Sequence, residues 1–147
     1  MPSALAPVDP PLLSPFRYRA LVVEDERLVR SVVRRALARA DFDVLEAEHG
    51  QAALELARAT ELDLVVSDVR MPIMGGFELV RHLRLEQPDL PVVMLSGDFE
   101  LAPGQTAEDL GVFALIRKPF SVDELQRIAL RAVGAERSVV RGTALIA

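Results

Sequence analysis

The sequence predicts an α/β domain built on a parallel sheet. From about Tyr18 onward, short apolar runs alternate with segments whose apolar residues recur at helical spacing, which is the pattern of successive βα units. Polar or charged residues follow several of the apolar runs directly, and Gly or Pro marks many of the connections. Because the carboxyl ends of parallel strands meet at one edge of a sheet, we expect the residues that follow these runs to converge there.

Composition limits the chain to one ordinary folded domain and disfavours several functions. It has 147 residues, of which 50% are apolar, with no cysteine and a formal net charge of −5. The negative charge argues against direct contact with nucleic acid, which usually needs a basic face. The lack of cysteine excludes disulfides and thiolate chemistry. No apolar run approaches the roughly 20 residues that cross a bilayer, and no basic residue precedes Arg17, so no membrane association and a cytoplasmic location are expected.

Three segments are predicted along the chain. Residues 1–17 are rich in proline, which lacks a donor N–H, and they are interpreted as a flexible leader. Residues 18–133 form the domain. Residues 134–147 are too few for an output domain and are interpreted as a short C-terminal tail.

The apolar runs predict five strands, and the helical periods between them predict five helices. The strands are expected over residues 20–23, 42–47, 62–68, 92–95 and 112–116. The helices are expected from about 28 to 39, from 50 to 59, from 77 to 85, briefly from 105 to 111, and from the capping residue Ser121 to about 133, with Glu124 completing a capping box.

The first helix has an apolar set and a basic set. The apolar set is expected to face the core and consists of Leu28, Val32, Val33, Ala36 and Leu37. The arginines are expected on a solvated face, and a partner surface is the alternative. Elsewhere, His49 and His82 have no further histidine or cysteine at metal-binding spacing, and both are expected to face solvent.

Charged residues at three strand ends suggest a site. Glu24 and Asp25 follow the first run, Asp68 ends the third, and Lys118 follows the fifth. Two carboxylates about 4 Å apart repel by roughly 4 kcal/mol at an effective dielectric near 20, so such acids indicate a cation. Oxygen ligands of this kind suit Mg²⁺, which would prepare Asp68 to attack a phosphoryl group. Lys118 could then offset the added charge.

The motifs at these strand ends resemble the receiver domain of two-component response regulators, over about residues 18–133. They are Val22-Val23-Glu24-Asp25-Glu26, Asp68-Val69-Arg70-Met71-Pro72, Ser96-Gly97 and Lys118-Pro119-Phe120. The resemblance implies a flavodoxin-like fold, a five-stranded parallel sheet of order 2-1-3-4-5 with five flanking helices.

The same resemblance implies a role for each site residue. Asp68 would be the phosphoacceptor, and Mg²⁺ would be held by Asp25 directly, by Glu24 through water, by Asp68 and by the backbone carbonyl of Arg70. Ser96 would be the switch hydroxyl that binds the phosphoryl group. Lys118 would be its cationic partner, with a cis peptide bond to the following proline.

The implied function is signalling rather than turnover of a substrate. A histidine kinase or a histidine phosphotransfer protein would donate the phosphoryl group, and a downstream output protein would read the result. Only self-catalysed phosphoryl acceptance and autodephosphorylation are expected, and a homodimer is left open. A phosphohydrolase is disfavoured because Arg70 stands where such enzymes carry a second acid.

One position departs from the family pattern. Leu115 stands where the family often has a switch aromatic, and Phe113 on the same side of the strand is a candidate substitute. This departure favours the main alternative, a receiver-like interaction scaffold that works without phosphorylation.

Overall fold

The computed structural model describes residues 17–97 and 106–134. The predicted leader up to residue 16, the start of the fourth helix near Gln105, and the tail beyond residue 134 lie outside these ranges. Strands and helices alternate through the described part of the chain. In order they are β1 Tyr18–Val23, α1 Arg27–Ala38, β2 Phe42–Ala47, α2 Gly50–Ala59, β3 Leu64–Asp68, α3 Gly76–Glu86, β4 Val92–Ser96, α4 Ala107–Leu110, β5 Ala114–Arg117 and α5 Val122–Ala132.

The five strands form one parallel sheet in the order β2-β1-β3-β4-β5, which confirms the flavodoxin-like topology. The register of the sheet aligns the carboxyl ends of β1, β3, β4 and β5. Val23 pairs with Ser67, Asp68 pairs with Leu95, and Ser96 pairs with Arg117. The residues that end or follow β1, β3, β4 and β5 therefore lie at the same edge of the sheet, as the sequence predicted.

The core consists of two layers, one on each face of the sheet. Helices α2 and α3 pack with half-buried residues of α4 on one face, and α1 and α5 pack on the other. Strands β3 and β4 are buried at every position because both of their faces are covered. This arrangement explains why they read as continuous apolar runs rather than alternating ones.

The predicted inner face of α1 is partly wrong. Leu28 and Val32 are 81% and 44% exposed, whereas Val33, Ala36 and Leu37 are buried as expected. Each residue advances the helix by about 100°, so Leu28 and Val32 lie to one side of the stripe that runs through Val33. Two adjacent apolar stripes fit the sequence, and packing of Ala36 and Leu37 against the sheet selects one of them.

The start of β5 also differs from the prediction. The strand was predicted from Val112 and begins at Ala114. The N–H of Val112 is used to end α4 by donating to the carbonyl of Ala107, after Gly111 has adopted a left-handed conformation with φ +77°. The expectation of a short helix is confirmed, since α4 has four residues.

Capping side chains begin three of the helices, α2, α4 and α5. Ser121 Oγ accepts a hydrogen bond from the N–H of Glu124, which is the serine half of the capping box predicted for α5. A full capping box lies at α4, where Thr106 Oγ1 accepts from the N–H of Asp109 and the N–H of Thr106 donates to Oδ2 of Asp109. His49, expected to face solvent, is half-buried, and its Nδ1 accepts from the N–H of Ala52 at 3.1 Å, which caps α2. Within the described ranges, the helices are all too short or too polar to cross a membrane.

Candidate functional site

Three acids converge at the carboxyl edge of the sheet. Glu24, Asp25 and Asp68 each offer a carboxylate oxygen within 4.8 Å of the others. Glu24 is fully buried and Asp68 is 7% exposed, whereas Asp25 is exposed. The convergence that the sequence predicted is therefore present, with two of the acids largely removed from water.

The end of β3 fixes the carboxyl group of Asp68. Its Oδ1 accepts a hydrogen bond from the N–H of Val69 at 2.8 Å. After β3 and its loop, helix α3 begins with Gly76, whose N–H donates to the carbonyl of Val69 at 2.8 Å. A Cβ atom on Gly76 would collide with the carbonyl oxygen of Asp68, so only glycine permits this close approach. Gly76 thus packs the β3–α3 connection against the site.

Glu24 is held by both its backbone and its side chain. Its N–H donates to the carbonyl of Ala47 at 3.1 Å, which continues the β1–β2 pairing past the end of β1. Its Oε2 accepts from the N–H of Glu26 at 3.1 Å. Burial, together with the charge of Asp68, raises the pKa of Glu24 to about 7 despite the opposing effects of the Glu26 N–H and Lys118.

Lys118 supplies a positive charge beside two of the acids. Its Nζ lies 3.3 Å from Oδ2 of Asp68 and 3.4 Å from Oε1 of Glu24. Burial opposes its charge, but the carboxylates of Asp68 and Glu24 outweigh burial and raise the pKa of the ammonium group. The bond from Lys118 to Pro119 is cis, as expected.

Ser96 and Leu115 occupy the positions that the sequence predicted, but their roles stay predictions. Ser96 ends β4, is 3% exposed, and accepts a hydrogen bond from the N–H of Lys118 at its carbonyl oxygen. Leu115 is half-buried and packs against the core layer of α2 and α3. Phe113, the candidate substitute, is 40% exposed. The metal-binding role of the Arg70 carbonyl likewise stays a prediction.

The donor set fits Mg²⁺. All three side chains offer oxygen, the ligand type that this hard cation prefers. Lys118 pairs with Asp68 and Glu24, and the charge of Asp68 adds to burial in raising the pKa of Glu24. A divalent cation would relieve that repulsion.

Sequence reasoning missed one residue at the site. Arg30, placed by the pattern on a solvated face, has a side chain that is only 13% exposed. Its Nη1 donates to the carbonyl oxygen of Glu24 at 2.8 Å. The available signal was weak, because Arg30 belongs to a row of arginines on α1 and only the tertiary structure distinguishes it from Arg34 and Arg35.

Comparison with known proteins identifies the family. A family model described as the response regulator receiver domain matches residues 20–130, which is most of the chain. The chain belongs to the response regulator receiver domain family. The DNA-binding transcriptional regulator NtrC of Escherichia coli is 34% identical over 112 residues, which cover 76% of this chain and 24% of NtrC. The receiver domain thus corresponds to about a quarter of that relative's length.

Solved structures agree with this assignment. The receiver domain of NtrX from Brucella abortus has a TM-score of 0.72 and 30% identity, covering 78% of this chain and 97% of that one. The receiver domain of the sensor histidine kinase PA1611 from Pseudomonas aeruginosa has a TM-score of 0.72 and 25% identity, covering 80% of this chain and 98% of that one. The latter structure carries a magnesium ion coordinated in its active-site cleft.

Proposed function

We propose that this receiver domain accepts a phosphoryl group on Asp68, with Mg²⁺ bound by Glu24, Asp25, Asp68 and the carbonyl of Arg70. The donor is a histidine kinase or a histidine phosphotransfer protein. The product is an aspartyl phosphate that changes a surface read by a downstream output protein. The observation that carries the proposal is the position of the Asp68 carboxylate, between Lys118 and two further acids at a sheet edge.

The chemistry is a simple group transfer. A carboxylate oxygen of Asp68 forms a bond to phosphorus as the P–N bond of the donor phosphohistidine breaks, and the imidazole leaves with the bonding electron pair. Mg²⁺, when bound, neutralises charge on the phosphoryl oxygens. The ammonium group of Lys118 already pairs with Asp68, so it is placed to stay beside the new negative charge.

The product can act as a switch through β4 and β5. Ser96 ends β4, and its carbonyl accepts the N–H of Lys118 just beyond β5, so the two residues are mechanically linked. A phosphoryl group brings about −1.5 to −2 charges and three acceptor oxygens. The hydroxyl of Ser96 and the ammonium of Lys118 would turn toward those oxygens, which biases the loops after both strands toward a second state.

Incubation with Mg²⁺ and a small acyl phosphate tests the proposal. Intact mass spectrometry is expected to show a gain of one phosphoryl group that decays slowly in buffer, by self-catalysed hydrolysis. Asp68→Asn should abolish the gain, and chelation of Mg²⁺ should suppress it. Asp89→Asn, at an exposed residue of the α3–β4 loop, is the matched control and should label normally. Equal labelling of Asp68→Asn and the unmodified chain would refute the proposal.

Leu115 supports a second candidate, an interaction scaffold that works without phosphorylation. A half-buried leucine replaces the rotating aromatic residue at this position, which removes one route from the phosphoryl site to the surface of β5. The same labelling experiment separates the two candidates. A scaffold would show no phosphoryl gain, and Asp68→Asn would leave its partner binding unchanged.

A further inference from the structure

Arg30 joins three parts of the molecule. It lies on α1, and its side chain is 13% exposed. Nη1 donates to the carbonyl oxygen of Glu24 at 2.8 Å, and Nε donates to Oε1 of Glu46 on β2 at 3.0 Å. One guanidinium group therefore connects the first helix, the second strand and the segment that carries two of the site acids.

We infer that Arg30 is a positioning residue for the cation site, acting through the Glu24 carbonyl; the inference rests on the Mg²⁺ binding of the proposed function. The carbonyl of Glu24 and the N–H of Asp25 belong to one planar peptide unit. A hydrogen bond on that carbonyl therefore restrains the direction in which the Asp25 side chain leaves the backbone. Asp25 is exposed, so its placement depends on this restraint more than on packing.

The two sides of Glu24 are anchored separately. Its N–H is bound to the carbonyl of Ala47, and its C=O is bound to Arg30. The first anchor is a continuation of the sheet, whereas the second depends on a single side chain. Removal of the Arg30 side chain would leave the β1 end in place and free the peptide that leads to Asp25.

Arg30 acts on geometry rather than on the charge of the acids. Its own charge is paired with Glu46, which also receives Nε of Arg34 at 3.4 Å. Its contact with the site is a hydrogen bond to the backbone carbonyl of Glu24 rather than an ion pair with one of the three acids.

Arg34 provides a matched control. It lies one helical turn after Arg30 and pairs with the same carboxylate, that of Glu46, through Nε at 3.4 Å. A role that is only structural, tying α1 to β2, would be shared by both arginines. A positioning role at the cation site belongs to Arg30 alone.

The experiment is Mg²⁺ titration of the whole chain, followed by NMR chemical shifts, for Arg30→Met and Arg34→Met. Loss of a residue that orients a metal ligand weakens affinity by about 10–100-fold, and we expect the lower part of that range for Arg30→Met. Arg34→Met should bind Mg²⁺ as the unmodified chain does. Metal-free thermal unfolding, measured in parallel, reports the structural contribution of each arginine separately.

Arg30→Lys and Arg34→Lys serve if the methionine variant does not fold. A single ammonium group cannot span both acceptors, so Arg30→Lys should bind Mg²⁺ more weakly than Arg34→Lys. Equal Mg²⁺ affinities within the pair that folds would overturn the inference while leaving the proposed function standing. An unmodified chain that binds no Mg²⁺ would overturn both.

Discussion

Nζ of Lys118 lies 3.3 Å from Oδ2 of Asp68, and the backbone N–H of the same lysine donates to the carbonyl of Ser96. The backbone position from which the Lys118 side chain reaches Asp68 is therefore held by a hydrogen bond to the end of β4. In the parallel register, Asp68 on β3 pairs with Leu95, the residue before Ser96, so Asp68 lies close to that point of the sheet. Strand pairing in the sheet therefore brings the backbones of Asp68 and Lys118 together.

Lys118→Gln is expected to slow phosphoryl uptake strongly while leaving Mg²⁺ affinity unchanged or higher. In the proposed transfer, the ammonium group would stabilise the charge that develops on the phosphoryl oxygens, and loss of one such group costs about 100-fold in rate. The same group competes with a cation for Asp68 and Glu24. Labelling rates and Mg²⁺ titrations measure the two effects. Arg127→Gln, at an exposed ion pair with Asp123, is the control, and weaker Mg²⁺ binding in Lys118→Gln would contradict the argument.

Mg²⁺ affinity is expected to rise with pH through the pKa of Glu24, which is raised from 4.5 to about 7. Protons and Mg²⁺ compete for this carboxylate. In the metal-free protein, the raised pKa means that protonated Glu24 stabilises the fold below about pH 4.5, and that this contribution is lost as the pH rises through about 7.

The measurement is a set of Mg²⁺ titrations from about pH 5 to about pH 8, with Glu24→Gln as the comparison. The slope of affinity against pH should flatten in that variant. An unmodified chain whose affinity is constant over the range would show that Glu24 is already ionised at low pH.

Gly76→Ala is expected to destabilise the fold by about 1–3 kcal/mol, the usual cost of overpacking. The added Cβ would meet the carbonyl oxygen of Asp68 and Cε of Met94, so the strain falls directly on the segment that carries Asp68. Urea unfolding measures the loss. Gly97→Ala is the matched control, since among residues 17–97 and 106–134, its chain neighbours aside, no heavy atom lies within 4 Å of its added Cβ. Equal stability of the two variants would contradict the prediction.

His49→Ala is expected to lower the free energy of unfolding by about 1 kcal/mol, because it removes the cap of α2. The Nδ1 atom accepts the N–H of Ala52, and Asn can present a side-chain oxygen at the same position. His49→Asn should therefore keep most of the stability. Urea unfolding measures the free energy of unfolding of both variants. An Ala variant as stable as the unmodified chain would show that the cap contributes little.

The sequence determined the elements that depend on local chemistry. The bounds of β2 and α2 agree with the prediction residue for residue, because apolar runs and glycine mark them clearly. The order of strands, which the structure confirms, and the roles proposed for Asp68 and Lys118 came from motifs that resemble a known family. Convergence of the acids followed from a general property of parallel sheets, so it needed no coordinates.

Some details could not be predicted because two local backbone arrangements fit the same residues. Val112 has strand character, yet its N–H is needed to close α4. His49 was expected to face solvent, but the start of α2 places the N–H of Ala52 beside its ring. In both cases an unsatisfied backbone group decided the outcome, and such groups are visible only once the chain has folded.

The amino-acid sequence by itself fixed the alternation of strands and helices, and it put carboxylates and a lysine where strands end. Only the tertiary structure decided which stripe of α1 is buried, that Arg30 binds the Glu24 carbonyl, and that Glu24 is fully removed from water. The reason is that periodicity reports which residues share a face, whereas contacts between distant segments depend on the phase in which each face meets its neighbour.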